Sequence, residues 1–193
     1  MTDARHTFEE RTFTDEDFGG KDLRRHEYTA CTFRGCNLAG ARLDDGLFSD
    51  CTFEACNLAG VSVVNCRFHG AVFTECKWMG VDFTPIATTL LDFTFRDCKV
   101  ELCNFAGLPL GRTAFPGCTL REDDFSSANL ESADFRGADL QGTVFDATSL
   151  QKADFRGATA YAIDPTRNRL RKARFSLPEA AALLRTFGVV IDP

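Results

Sequence analysis

The groups with chemical potential in this chain are nine cysteines, three histidines and an excess of carboxylates, 28 Asp and Glu against 22 Lys and Arg. Thiols and imidazoles can ligate a soft metal, close disulfides or supply a nucleophile, and each use makes its own demand on spacing. Cys31, Cys36, Cys51, Cys56, Cys66, Cys76, Cys98, Cys103 and Cys118 contain no CxxC pair, and His6, His26 and His69 do not cluster with them. No phosphate-binding loop, dinucleotide fingerprint, HExxH pair or nucleophile elbow occurs. No catalytic residue, no metal and no cofactor is expected, and an enzyme is the least favoured class.

What organises the cysteines is a period. From Phe8 every fifth residue to Phe83 is large and apolar; the pattern slips by two residues and resumes as Leu90, Phe95, Val100 and onward to Phe155, then at Leu170 and Phe175. Of the 19 Phe, only Phe93 and Phe187 fall outside it. Every cysteine lies two residues before one of these central residues, a position that elsewhere holds Ala41, Ala71, Ala128 or Ala133. Gly20, Gly40, Gly60, Gly80, Gly137 and Gly157 follow the centre by two. A period of five fits neither a helix nor a strand. It fits a coil with flat sides and a corner every five residues, small and large side chains inside and the other three outside.

The segments ADFRG (133–137 and 153–157), ADLQG (138–142) and CNLAG (36–40 and 56–60) resemble the repeats of the pentapeptide-repeat family over residues 6–175. The resemblance implies an all-β solenoid, a right-handed quadrilateral parallel β-helix of twenty residues per turn. Columns at that interval follow: Phe13, Phe33, Phe53, Phe73, Phe95, Phe115, Phe135, Phe155 and Phe175 form one ladder, with two residues added across the slip. Stacking of this kind buries a continuous core that no single repeat forms alone. Nine rungs at about 4.8 Å make a rod of roughly 40 Å. Cys36, Cys56, Cys76, Cys98 and Cys118 fall in one column, near enough for disulfide geometry but along a line, whereas metal ligands must converge; buried packing is the expected role.

Four places depart from the pattern. The TPIATT segment and Phe93 predict a bulged corner or short loop at 84–94. His6, Arg11, Glu16, Lys21 and His26 in the small inward position predict an open, partly solvated first turn. Asp123 takes that position between Cys103 and Thr143, where it either bonds backbone amides and Thr143 or marks a local functional opening. From Ser176 the sequence SLPEAAALLRTFG predicts a short capping α-helix in 176–193, with a Ser176–Glu179 capping box and a stripe of Ala180, Leu183, Leu184 and Phe187. Val189, Val190 and Ile191 then either tuck under this helix or are shared with a second copy, and Leu183, Leu184, Phe187 and these three are the candidate capping and homodimerisation residues.

The chain carries a net charge of −6, with residues 1–166 acidic and 167–193 basic. An acidic chain argues against direct nucleic-acid binding. No apolar run is long enough to span a membrane and the N-terminus lacks a signal-like apolar stretch, so a cytoplasmic location is expected. Between Ala41 and Asp164 one side of the coil gathers Asp44, Asp45, Asp82, Asp124, Asp146 and Asp164 against Arg42 alone. Such a side is either a solvated face that keeps the rod soluble or a partner-binding surface. Similarity to Qnr-type and mycobacterial fluoroquinolone-resistance members of the family implies the second. It would be a partial DNA mimic that binds DNA gyrase or topoisomerase IV and protects it from inhibitors. The alternative is a binding or scaffold module for another cytoplasmic protein. The chain lacks the long loops of Qnr-type proteins and has only the TPIATT bulge.

Overall fold

A backbone that turns a corner every five residues needs a left-handed residue at each corner. In the computed structural model, which describes residues 6–189, the corner residues take φ between 50° and 75°. Glycine enters this region without penalty, whereas residues such as Ala55, Asp45 and Lys152 accept a strain of about 1 kcal/mol each, offset by the pairing that the corner permits. At Gly70 a side chain is excluded as well, because a Cβ would stand 2.6 Å from Asp50 Oδ1 on the rung below.

Between corners the chain runs in strands of three or four residues that pair in parallel with the next turn. One sheet holds Thr7–Glu9, Glu27–Thr29, Leu47–Ser49 and Arg67–His69; a second holds Thr12–Thr14, Thr32–Arg34, Thr52–Glu54, Ala71–Thr74 and Phe93–Arg96; a third holds Lys77–Met79, Lys99–Glu101 and Thr119–Arg121. Further along, single parallel bridges such as Asp134 to Asp154 continue the same ladders. The register is twenty residues, Phe33 on Phe53, and becomes twenty-two where Ala71 meets Phe93. This is the right-handed quadrilateral solenoid.

The phenylalanine ladder from Phe13 to Phe175 is continuous, with successive ring centroids 4.7–5.3 Å apart and nearly parallel planes. A second stack runs Phe83, Phe105, Phe125, Phe145. Neighbouring columns meet edge to face, as at Phe105 and Phe115, so both favoured aromatic geometries repeat through the core. At the N-terminal end His6, Arg11, Glu16 and Lys21 are exposed. The Arg11 guanidinium lies 5.3 and 5.2 Å from the Phe8 and Phe13 rings and Lys21 Nζ 5.2 Å from that of Phe18, so cations cover the first rung without adding apolar surface.

Two expectations need correction. Leu90, assigned a central inward place by its spacing, is 68% exposed, while Ile86 and Phe93 are buried. The chain leaves the ladder between Phe83 and Phe93, Ile86 stacking above Cys66 and Phe93 above Ala71. Ile86 and Phe93 stand in places that elsewhere take Cys or Ala, Leu91 packs half-buried against the core, and Leu90 falls on a left-handed corner, where it is exposed. At the C-terminus the helix, Glu179–Phe187, is 3₁₀ rather than α, and Ser176 does not cap it: the Ser176 hydroxyl accepts the Gly157 amide at 2.9 Å instead. Gly188, in the left-handed region, closes the helix by donating to the Arg185 carbonyl. With three residues per turn, Ala180 and Leu183 share a half-buried face while Leu184 and Phe187 share an exposed one.

Candidate functional site

The cysteines are all reduced and buried, and their role is legible in their bonds. Cys36, Cys51, Cys56 and Cys76 each donate an S–H to the carbonyl of the residue twenty-three earlier, Phe13, Tyr28, Phe33 and Phe53, at 3.4 Å. Thr143 does the same to Leu120 at 2.7 Å and Thr148 to Phe125 at 2.9 Å. Where Cys or Thr fills it, the inward small position therefore supplies a hydrogen-bond donor as well as volume. Burial pushes the Cys51 and Cys103 thiols up to about 12, which makes them poor nucleophiles. Among the described residues no three His, Cys, Asp or Glu groups converge to hold a metal ion. His6 and His26 stand 4.9 Å apart at the open end and His69 is remote from both. A shallow recess of about 470 Å³ opens where the helix leaves the last rung, between Tyr161, Pro178, Glu179 and Arg185.

The surface is governed by one local bond. The residue before each central position is often Asp or Asn, and its Oδ1 accepts the amide two residues ahead: Asp82 from Thr84, Asn104 from Ala106, Asp124 from Ser126, Asp134 from Arg136, Asp154 from Arg156, Asp164 from Thr166, all at 2.8–3.1 Å. This Asx bond holds the corner, and either side chain can make it. Many of the carboxylates are thus structural before they are anything else.

What distinguishes one side of the coil is whether the charge survives. In the ADFRG repeats, Arg136 and Arg156 turn back onto Asp134 and Asp154 at 2.7 and 2.6 Å, and those arginines hold both carboxyls below the ordinary range. On the side that carries Asp82, Asp124 and Asp164 the corresponding residues are Thr84, Ser126 and Thr166, which bring no charge. Asp82, Asn104, Asp124 and Val144 pair in register along this side, so Asp82 and Asp124 are two rungs, roughly 10 Å, apart. Asp45 accepts the Asn65 amide group at 2.8 Å.

Two of the six expected aspartates contribute less. Asp44 is 9% exposed, with Oδ1 taken by the Ser62 hydroxyl and the Val64 amide and Arg42 3.6 Å from Oδ2. Asp146 is held bidentately by Arg167, with Nε and Nη2 each 2.7 Å from its oxygens. Among the described residues Asp45, Asp82, Asp124 and Asp164 bond only to neutral donors, and Asp164 also feels a nearby charge: the Thr166 hydroxyl and amide, joined by Arg167, hold its carboxyl below the ordinary range. Sequence columns contained the Asx signal, since Asp and Asn recur before the central residue, but the cross-rung partners Ser62 and Arg167 lie eighteen and twenty-one residues away and carry no local mark.

At the C-terminal end Leu183 packs against the core, whereas Leu184, Phe187 and Val189 are 46%, 57% and 49% exposed. Val190 and Ile191 lie outside the described residues. No helix among the described residues is long and apolar enough to cross a membrane.

Comparison with known proteins supplies the wider setting. A family model described as a pentapeptide repeat region matches residues 26–105, and one described as pentapeptide repeats, eight copies, matches residues 124–159. No curated protein matches the chain in sequence. Among solved structures, QnrB1, a plasmid-mediated fluoroquinolone resistance protein in a trypsin-treated R167E form, is similar at 16% identity and a TM-score of 0.58, covering 97% of this chain and 98% of its own. HetL, a protein involved in heterocyst differentiation regulation from the cyanobacterium Nostoc sp. strain PCC 7120, is similar at 13% identity and a TM-score of 0.57, covering 89% and 87%. At these identities the likeness is one of fold.

Proposed function

We propose that this chain, which belongs to the pentapeptide-repeat family, is a non-enzymatic cytoplasmic protein that binds a type II topoisomerase such as DNA gyrase through its acidic side and protects it from inhibitors. The observation that carries the reading is the retention of charge on that side: the Asx bond of Asp82, Asp124 and Asp164 is made without the arginine that cancels Asp134 and Asp154. A rigid rod with carboxylates at rung intervals offers a cationic DNA-binding surface part of what a phosphate backbone offers. The mimicry is partial, because duplex DNA carries a charge per about 1.7 Å. The likeness in fold to QnrB1 supports the partner, and the exposed Leu184, Phe187 and Val189 support homodimerisation through the C-terminal end, which doubles the charged length.

A gyrase supercoiling assay with increasing protein, with and without a fluoroquinolone, tests the reading. Recovery of drug-inhibited supercoiling, or inhibition of supercoiling without drug, is expected; no change up to several micromolar would sink it. The second reading is a binding module for another cytoplasmic protein. It is favoured by the small number of uncancelled carboxylates, four over the whole side, and predicts that immobilised protein retains an intracellular partner other than a topoisomerase.

A further inference from the structure

Where Cys or Thr fills the inward small position it donates to a backbone carbonyl, and Asp123, in the same position, cannot donate in its usual ionisation state. Asp123 is fully buried. Its Oδ1 accepts the Cys103 amide at 2.7 Å, and its Oδ2 is buried with no hydrogen-bond partner among the described residues. Thr143, one rung above, donates to the Leu120 carbonyl, and Leu120 lies one rung above Val100. The carbonyl that corresponds to Asp123 is therefore that of Val100. Asn168 shows how a branched polar group fits such a place: Oδ1 accepts the Thr148 amide at 2.9 Å while Nδ2 donates to the Phe145 carbonyl, twenty-three residues earlier, at 2.9 Å. Asp123 repeats the first half of that arrangement and needs a proton to complete the second.

We propose that Asp123 is held as the neutral carboxylic acid, its Oδ2–H donating to the Val100 carbonyl, and that loss of this proton unlocks the rung on which Asp124 stands. The charged form would place a carboxylate against a carbonyl oxygen with no water to solvate it, and such a group is costly when unpaired. Among the described residues no cation faces it. Below lie the Cys103 thiol and Glu101, above lies Thr143, and the neighbours Glu122 and Asp124 are acidic; Arg121, two residues earlier, is drawn outward to Asp139 at 2.6 Å. Burial, joined by the nearby Glu101 charge, pushes the Asp123 carboxyl up to about 8. Because the folded value lies above the unfolded one, its contribution to stability is complete below about pH 4. That contribution declines as pH rises through the folded value.

The direct test is the carboxyl ¹³C shift of Asp123 in the full chain, followed from pH 4 to 10 and assigned by comparison with Asp123→Asn. A protonated acid at pH 6 that titrates near pH 8 is expected; a carboxylate already ionised at pH 6 overturns the proposal. Stability supplies a second readout, with unfolding by urea followed through the sole tryptophan, Trp78, which is fully buried. The folded-to-unfolded ratio of Asp123→Asn relative to wild type should grow up to about tenfold per pH unit between about pH 4 and 8, since one proton is linked. Asp123→Thr, which installs the group found at Thr143, serves if the Asn variant does not fold. A ratio constant across that interval for a folded variant overturns the proposal.

Discussion

Asp124 and Asn104 stand in register on adjacent rungs and make the same bond, each Oδ1 accepting the amide two residues ahead, at 2.8 Å in Asp124 and 3.0 Å in Asn104. The corner is indifferent to whether the side chain is charged. Charge on this side is therefore separable from fold. Asp45→Asn, Asp82→Asn and Asp124→Asn combined should keep the solenoid, with a change in stability within about 1 kcal/mol, while lowering affinity for a cationic partner by tenfold or more. Thermal unfolding and a supercoiling titration on the same sample measure both. A variant that folds and retains full activity removes the acidic side from the function.

Arg167 tests the same surface from the opposite direction. It holds Asp146 at the end of the acidic side, so Arg167→Ala exposes a fifth uncancelled carboxylate. An exposed pair is worth at most about 1 kcal/mol, and stability should barely change. Association with the partner should quicken, most clearly at low salt. Stopped-flow association at two ionic strengths reads this, and an unchanged rate at both places the contact elsewhere on the rod.

How far the architecture was legible in the chain depended on the range of the interaction. The ladder from Phe13 to Phe175 and the inward cysteines follow from one repeated interval, because each rung must present the same shape to the next. The loop was visible as a slip, yet Ile86, Leu91 and Phe93 take the places facing the core, and Leu90 falls on an exposed left-handed corner. Ser176 reads locally as a helix cap, but the Gly157 amide on the preceding rung claims its hydroxyl. Asp44 and Asp146 read as surface charges until partners twenty residues away are placed beside them. Local spacing encodes which side a residue faces; it does not encode what it meets there.

The acid limb of stability should show the ion pairs of the ADFRG repeats. Arg156, followed by the Asp154 amide-acceptor bond, holds the Asp154 carboxyl below the ordinary range. A depressed carboxyl contributes stability that is present above the unfolded value, about pH 4, and is lost as pH falls through the folded one. Asp154→Asn keeps the bond to the Arg156 amide and removes this dependence. Its stability should lie below wild type at pH 6, by no more than about 1 kcal/mol for so exposed a partner, and the gap should narrow at pH 2. Equal deficits at both values would assign the loss to packing instead.

Core positions should differ by depth in the stack. Phe115 is fully buried between Phe95 and Phe135, with both centroids 5.2 Å away, so Phe115→Ala should cost about 3–5 kcal/mol. Phe8, at the N-terminal end and only partly buried, has no rung beneath it among the described residues, and Phe8→Ala should cost less than half as much. Because each rung touches only its neighbours, the interior variant should also broaden or split the urea transition seen by Trp78 fluorescence and by circular dichroism. Equal costs at the two sites would mean that the rungs do not stack as a one-dimensional array.

The C-terminal helix makes the last and sharpest demand on the dimer. In a 3₁₀ helix Leu184 and Phe187 fall on one line, three residues apart, and both are exposed. Leu183 packs against the core and belongs to the cap rather than to an interface. Leu184→Glu with Phe187→Glu should therefore leave thermal stability at low concentration unchanged within about 1 kcal/mol, while abolishing a dimer seen by sedimentation velocity. Leu183→Glu should instead lower stability at every concentration, because it places an unpaired charge against apolar side chains. A wild-type chain that sediments as a monomer at tens of micromolar rules out the shared end. The acidic side would then have to act at the length of a single rod.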